Sequence, residues 1–124
     1  DWFWTYKMWR LLEHNYLLYQ VSWDSRRGLL KERIQLINGD VVCLQEIAPE
    51  SFLEDFAFMQ DLGYDGVELY KKGRFRPATF WKTSQCELAS PAVHKDRCLL
   101  TAFKLTDCED KQKHHWHVCN CHLQ

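Results

Sequence analysis

An apolar run that ends in a carboxylate, DVVCLQEI over residues 40–47, constrains this chain more than any other segment. Gly39 and Asp40 form a turn, and Val41 to Leu44 are strand-forming residues. Glu46 follows where a buried parallel strand would reach its carboxyl end. Open and layered α/β folds bind ligands at such strand ends. A carboxylate there is well placed to hold a divalent metal. A solvated Glu at an ordinary strand terminus is the other reading of the same residues.

The flanks favour a layered fold. Upstream, WDSRRGLLKERIQLING predicts a helix over 24–37, capped by Asp24 or Ser25 and closed at Gly39. Leu29, Leu30, Arg33, Ile34 and Ile37 fall at helical spacing. Downstream, Pro49 and Ser51 open a second predicted helix, 50–62, with Phe52, Leu53, Phe56, Met59 and Leu62 as its apolar positions and Gly63 as its stop. Strands are predicted at 8–17, 40–46, 65–71, 77–82, 86–92, 98–105 and 115–123, with a turn at Gly73 and a polar turn, DCEDKQK, at 107–113. Two helices followed by successive strands point to a mixed sheet with helices on one side.

Composition excludes some roles. Sixteen basic and seventeen acidic residues leave a net charge of −1, so bulk charge does not imply nucleic acid. Lys71, Lys72, Arg74 and Arg76 form a local basic stretch that can face phosphates, or simply water. An aromatic content of 15% suits a core-rich or partner-covered domain rather than a disordered segment. No apolar run approaches the ~20 residues that span a membrane. The opening DWFWTYKMWRLL lacks the uncharged apolar run and small-residue cleavage site of a signal peptide.

Six cysteines stand at 43, 86, 98, 108, 119 and 121, without a CxxC. Cys43, inside the strand word, reads as a small core hydrophobe. The set reads as the reduced thiols of an intracellular, most simply cytoplasmic, protein, although an even count also permits disulfides. His115, His117, Cys119 and Cys121 would share one face of the last strand. Zinc accepts such ligands. Alternate residues of a strand lie ~6.6 Å apart, so the four cannot converge on one ion without a bend.

Four words in one order carry a family resemblance. WDSRRGLLKERI looks like a W-x-x-R helix, and GDVVCLQEI looks like an ADIVCLQEV strand. LGYDGVELYKKGRFRPATFWKTSQCEL looks like an LGY-x-G … K … G-C-A-x-F-[FY]-K region, and VCNCHLQ resembles VANTHL. Together they cover roughly residues 23–124 and resemble the endonuclease/exonuclease/phosphatase superfamily, in its deadenylase-type branch. The resemblance implies an α/β (α+β) class and a partial DNase I-like four-layered sandwich, a mixed sheet with helices on its outer face.

The same resemblance implies site residues. Glu46 matches the metal-ligand Glu, a hard oxygen donor for Mg²⁺. His122 matches the His that hydrogen-bonds the scissile phosphate. Asn120 lies two residues earlier in that word, and Asn15, in RLLEHNYLL, matches an Asn that supports the metal. The implied partner is RNA or another phosphodiester, with no membrane. There are departures: Arg76-Pro77 replaces the usual small residues, Cys121 replaces a Thr, and the loop before the W-x-x-R helix is short. The D-x-N and D-H words of the superfamily's second half do not occur in the 124 residues. The expectation is therefore a single partial domain over 1–124, the N-terminal half of a Mg²⁺-dependent phosphodiesterase. The alternative is a catalytically inactive structural or interaction protein within a larger assembly.

Overall fold

The computed structural model describes residues 22–68, 76–107 and 115–122. The strand expected at 8–17, the turn at Gly73 and most of the 107–113 turn lie outside the described residues. The chain divides into two compact units, Asp1–Arg33 and Ile34–Gln124.

Helix α1 spans Trp23–Ile37. Its start differs from the sequence expectation. Ser22, not Asp24 or Ser25, is the cap: its Oγ accepts from the Ser25 amide at 3.4 Å, and its carbonyl accepts from the Arg26 amide at 3.1 Å. Asp24 instead sits in the first turn, where the helix dipole favours an acid, and pairs with Arg27 at 2.8 Å. The stop differs too. Asn38, rather than Gly39, takes the left-handed conformation, with φ 52°. Asn tolerates that region because its short polar side chain bonds locally. Here Lys82 Nζ donates to both the Asn38 carbonyl, at 3.0 Å, and the Asn38 side-chain oxygen. Of the five residues expected on the apolar face only Ile34 is buried, while Leu29 and Ile37 are exposed. Periodicity decides which residues share a face, not whether another element covers it.

Strand β1, Val41–Ile47, is followed by two short helices, α2 at Phe52–Asp55 and α3 at Phe58–Asp61. Strands β2 (Tyr64–Glu68) and β3 (Arg76–Lys82) complete one sheet in the order β1-β3-β2. Strands β4 (Cys86–Lys95), β5 (Cys98–Leu105) and β6 (Trp116–Cys121) form a second sheet in that order. Every pairing among the described residues is antiparallel, including β1 with β3. The parallel relation expected of β1 survives at one remove. β1 and β2 both run opposite to β3, so their carboxyl ends meet on one edge.

The single helix expected at 50–62 is broken at Phe56-Ala57 because the aromatic residues demand it. Phe52, Phe56, Phe58 and Met59 are all buried. A continuous helix would point residues 56 and 58 some 200° apart. The turn rotates the second segment so that both rings face inward. Leu53, expected among the apolar positions, is exposed. Gly63, with φ 83°, closes the segment as expected.

Two apolar layers follow from strand alternation. Between the sheets, Trp81, Cys86 and Phe103 are buried, with Val41, Val67, Leu88, Trp116 and Val118 packed on them. The Phe103 ring lies 5.6 Å from Trp81 and 5.8 Å from Trp116. On the other face of the first sheet, the Phe80 ring stacks on Phe52 and packs at a tilt against Phe56, each at 5.6 Å. The layers are thus helices, sheet, sheet, as the α/β (α+β) sandwich expectation requires. Cys43 departs from its expected place in the core and is exposed.

Gly66 pairs across the ladder with Phe80, whose ring lies over the glycine. A Cβ at Gly66 would stand 2.3 Å from Phe80 Cδ1. That ring is held by two other aromatics and has nowhere to go. Gly28, inside α1, has nothing within 4 Å of a built Cβ. Gly66→Ala should therefore destabilise by about 1–3 kcal/mol through overpacking. Gly28→Ala should stabilise by about 0.5–1 kcal/mol through helix propensity. Urea midpoints of the two variants, moving in opposite directions, check this.

Candidate active site

The carboxyl ends of β1 and β2, the first residue of β3 and the end of β6 share one edge of the sandwich. Strict alternation would send Gln45 and Glu46 to opposite faces of β1. The ladder to β3 instead breaks between Leu44 and Ile47, and Glu46 takes a left-handed φ of 59°. Such a bulge re-aims side chains at the end of a strand. The consequence is that Gln45 and Glu46 both meet the end of β6. Gln45 Nε2 donates to Asn120 Oδ1 at 2.8 Å, and Glu46 Oε1 lies 3.5 Å from His122 Nε2. A left-handed glutamate costs on the order of 1–2 kcal/mol. Backbone strain of this kind is concentrated at functional sites.

Asn120 is 2% exposed. Its Nδ2 donates to the Leu44 carbonyl at 3.1 Å and the Ala78 carbonyl at 2.9 Å, with Thr79 Oγ1 at 3.4 Å. One amide from the second sheet thus donates to backbone acceptors on two strands of the first, at the last regular pair before the bulge. Both of its donor hydrogens are committed. His122 follows the strand end, where its backbone amide donates to the Arg97 carbonyl at 3.2 Å. Its ring is part-exposed and the Glu46 carboxylate largely exposed. The structure brings Glu46, His122 and Asn120 together; Asn15 lies outside the described residues.

Two charged groups at this edge were not singled out as site residues by the sequence. Arg76, read there as part of a solvated basic stretch, is buried, with its Nη1 donating to the Asp96 carbonyl at 3.3 Å. Its partners Lys71, Lys72 and Arg74 lie outside the described residues. The burial of Arg76 follows from register: it pairs with Ile47, directly beyond the bulge. Glu68 ends β2, where it pairs with Ala78. Its Oε2 is buried and finds no hydrogen-bond donor among the described residues. Desolvation, and then the charge of Glu50, push its carboxyl up to about 7. Residue order carried no such signal, because the strand expected at 65–71 puts Glu68 in mid-strand rather than at a carboxyl end.

Beside His122, three thiols gather on the outward face of the second sheet. Cys119 Sγ lies 3.2 Å from Cys121 Sγ, and Cys121 Sγ lies 3.0 Å from Cys98 Sγ. The Cys121 thiol is pushed up to about 12, first by its hydrogen bond to Cys98 and then by that to Cys119.

Two outcomes follow from this geometry. Asn120→Ala leaves the Leu44 and Ala78 carbonyls and the Gln45 amide without their partner, which should cost about 3 kcal/mol, measured by denaturant unfolding. Glu68 binds a proton more tightly in the folded chain than in the unfolded one. Stability should therefore fall as pH rises from the ordinary Glu range through about 7, because the unfolded chain releases that proton first. Glu68→Gln should remove that slope and be more stable than the parent chain above pH 7, as read from thermal midpoints across pH 4–8.

Comparison with known proteins bears on the fold. No protein-family model matches the chain. The CCR4-Not complex 3'-5'-exoribonuclease subunit Ccr4 of Candida glabrata is 45% identical over 49 residues, which are 38% of this chain and 6% of that protein. The Schizosaccharomyces pombe subunit is 35% identical over 78 residues, 52% of this chain and 11% of that protein. The chain thus spans a small part of these curated relatives. Among solved structures, ANGEL2, a 2',3'-cyclic phosphatase, superposes with a TM-score of 0.68 at 24% identity, over 93% of this chain and 38% of that one. Humanized D. rerio TDP2 superposes with a TM-score of 0.60 at 16% identity, over 82% of this chain and 44% of that one. The chain carries part of the DNase I-like fold of the endonuclease/exonuclease/phosphatase superfamily, and its sequence matches the deadenylase-type branch of that superfamily.

Proposed function

We propose that residues 1–124 are the N-terminal half of a Mg²⁺-dependent phosphodiesterase domain acting on RNA or a related phosphodiester. The observation that carries this reading is the approach of Glu46 to His122, residues far apart in sequence, at 3.5 Å. The donor chemistry fits a hard cation. Glu46 offers only oxygens, on a largely exposed carboxylate. Mg²⁺ is usually held by one or two carboxylates, with water and substrate phosphates completing its shell. Asn15 is the second proposed contributor. When bound, the ion would polarise a phosphoryl oxygen and offset charge in an in-line displacement.

The remaining roles belong to the chain itself. His122 donates from Nε2 toward a phosphate oxygen, and Glu46 keeps the ring turned to that edge. Asn120 is a positioning residue. Its amide holds β6 against the bulge and so sets the height of His122 relative to Glu46. Neither Glu46 nor His122 orients the attacking water, and the base that takes its proton is missing from this set. Those tasks belong to the D-x-N and D-H words, which do not occur in the 124 residues.

A second reading rests on a different observation. Leu36, Ile37 and Leu53 are 76%, 73% and 84% exposed. Large apolar side chains left in water favour a protein partner, and a catalytically inactive interaction module in a larger assembly would use them. No described helix is long and apolar enough to cross a membrane.

The readings separate by metal and by turnover. Mn²⁺, substituted for Mg²⁺, should broaden the NMR signals of Glu46 and His122 selectively, and Glu46→Gln should abolish the effect. With Mg²⁺ and a labelled oligoadenylate, the 124-residue chain should show no turnover. A longer polypeptide that adds the D-x-N and D-H words should turn over, with Glu46→Gln lowering kcat by about 10²–10³-fold. Absence of both the Mn²⁺ effect and that turnover would establish the inactive module.

A further inference from the structure

The thiol cluster beside His122 is not explained by phosphodiester chemistry. Cys98 opens β5, and Cys119 and Cys121 lie near the end of β6. Cross-strand register places Cys98 directly opposite Cys121, and Leu100 opposite Cys119. The burial pattern of β6 alternates, with Trp116, Val118 and Asn120 turned inward and His117, Cys119 and Cys121 outward. All three Sγ atoms consequently lie within 4.8 Å of one another. The four-residue His/Cys set along β6 could not converge on one ion, because it ran along a single extended strand. A ligand from the neighbouring strand removes that obstacle.

We propose that Cys98, Cys119 and Cys121 form a thiolate site for one soft cation of the Zn²⁺ class, one residue away from His122. Zinc–thiolate bonds of about 2.3 Å place tetrahedral sulfurs roughly 3.8 Å apart. The observed separations of 3.0 and 3.2 Å need to open by less than an ångström, which side-chain rotation supplies. Binding converts three thiols to thiolates and releases their protons to solvent, with no change in oxidation state. The cation then sits between sulfurs that could not otherwise all ionise at such spacing. Cys119 is exposed, so the fourth position opens to water. The ligand set discriminates sharply from the neighbouring carboxylate, because soft thiolates select zinc-like ions and hard oxygens select Mg²⁺. The bound ion would clamp the ends of β5 and β6 and so fix the residue that follows, His122.

The test uses the reduced 124-residue chain and Zn²⁺ or Co²⁺ alone. One equivalent of Co²⁺ should give thiolate-to-metal charge transfer and tetrahedral ligand-field bands, displaced by Zn²⁺. Cys98→Ser and Cys119→Ser should each weaken binding by more than about 100-fold, beyond the 10–100-fold typical of losing an outer-shell contact. Cys43→Ser and Glu46→Gln should leave it unchanged, which separates this site from the proposed Mg²⁺ site. A second readout needs no variant: Zn²⁺ should slow alkylation of Cys98, Cys119 and Cys121 by roughly tenfold or more, mapped by mass spectrometry, while Cys43 continues to react. The proposal fails if the charge-transfer band is absent, if it survives Cys98→Ser, or if Zn²⁺ protects Cys43 as well. It also fails if Cys98 and Cys121 form a disulfide in air at the same rate with and without Zn²⁺.

Discussion

The Asn120 side chain is the contact on which the site edge depends. It is buried between the two sheets and reaches the Leu44 and Ala78 carbonyls of the first from the last strand of the second. Elsewhere the sheets are joined by apolar packing around Phe103, which is strong but has little directional preference. A hydrogen-bonded amide in a low-dielectric interior has one good geometry, and leaving its partners unpaired is costly. The packing therefore holds the layers together, and Asn120 sets how they are aligned where the chemistry would occur.

Strain at Glu46 is the counterpart of that alignment. The bulge breaks the ladder, the left-handed φ costs stability, and Asn120 binds the Leu44 carbonyl at the last pair before the break. In return two consecutive side chains reach the same partner strand. The burial of Arg76 and of the Glu68 carboxyl at the same edge adds further cost. An edge that carries a strained backbone, a buried guanidinium and a carboxyl titrating near neutrality is shaped by something other than stability.

Much of the architecture was legible in residue order. The strand at 98–105 and the helix ending at Ile37 have the boundaries that alternation and periodicity give. The words around Glu46 and His122 marked both as residues of interest. Less legible were the features decided by neighbours. Ser22 rather than Asp24 caps α1, and Asn38 rather than Gly39 ends it, because Lys82 is at hand to bind the Asn38 oxygens. The 50–62 helix breaks because four buried side chains must face one sheet. Cys43 carries the pattern of a core residue yet is exposed, since alternation assigns a face without supplying its cover.

Residue order by itself located most of the elements, because hydrophobic period and local backbone preference act over a few residues at a time, and the resemblance of its words to a known superfamily implied the sandwich class and singled out Glu46 and His122. Tertiary structure alone decided that Gln45 and Glu46 both turn toward β6, that Asn120 is a buried tie rather than an open ligand, and that Cys98 joins Cys119 and Cys121. Each of these depends on which strand lies beside which and in what register. A slip of one residue would invert every face, and that choice is made by the packing of whole layers rather than by any local segment.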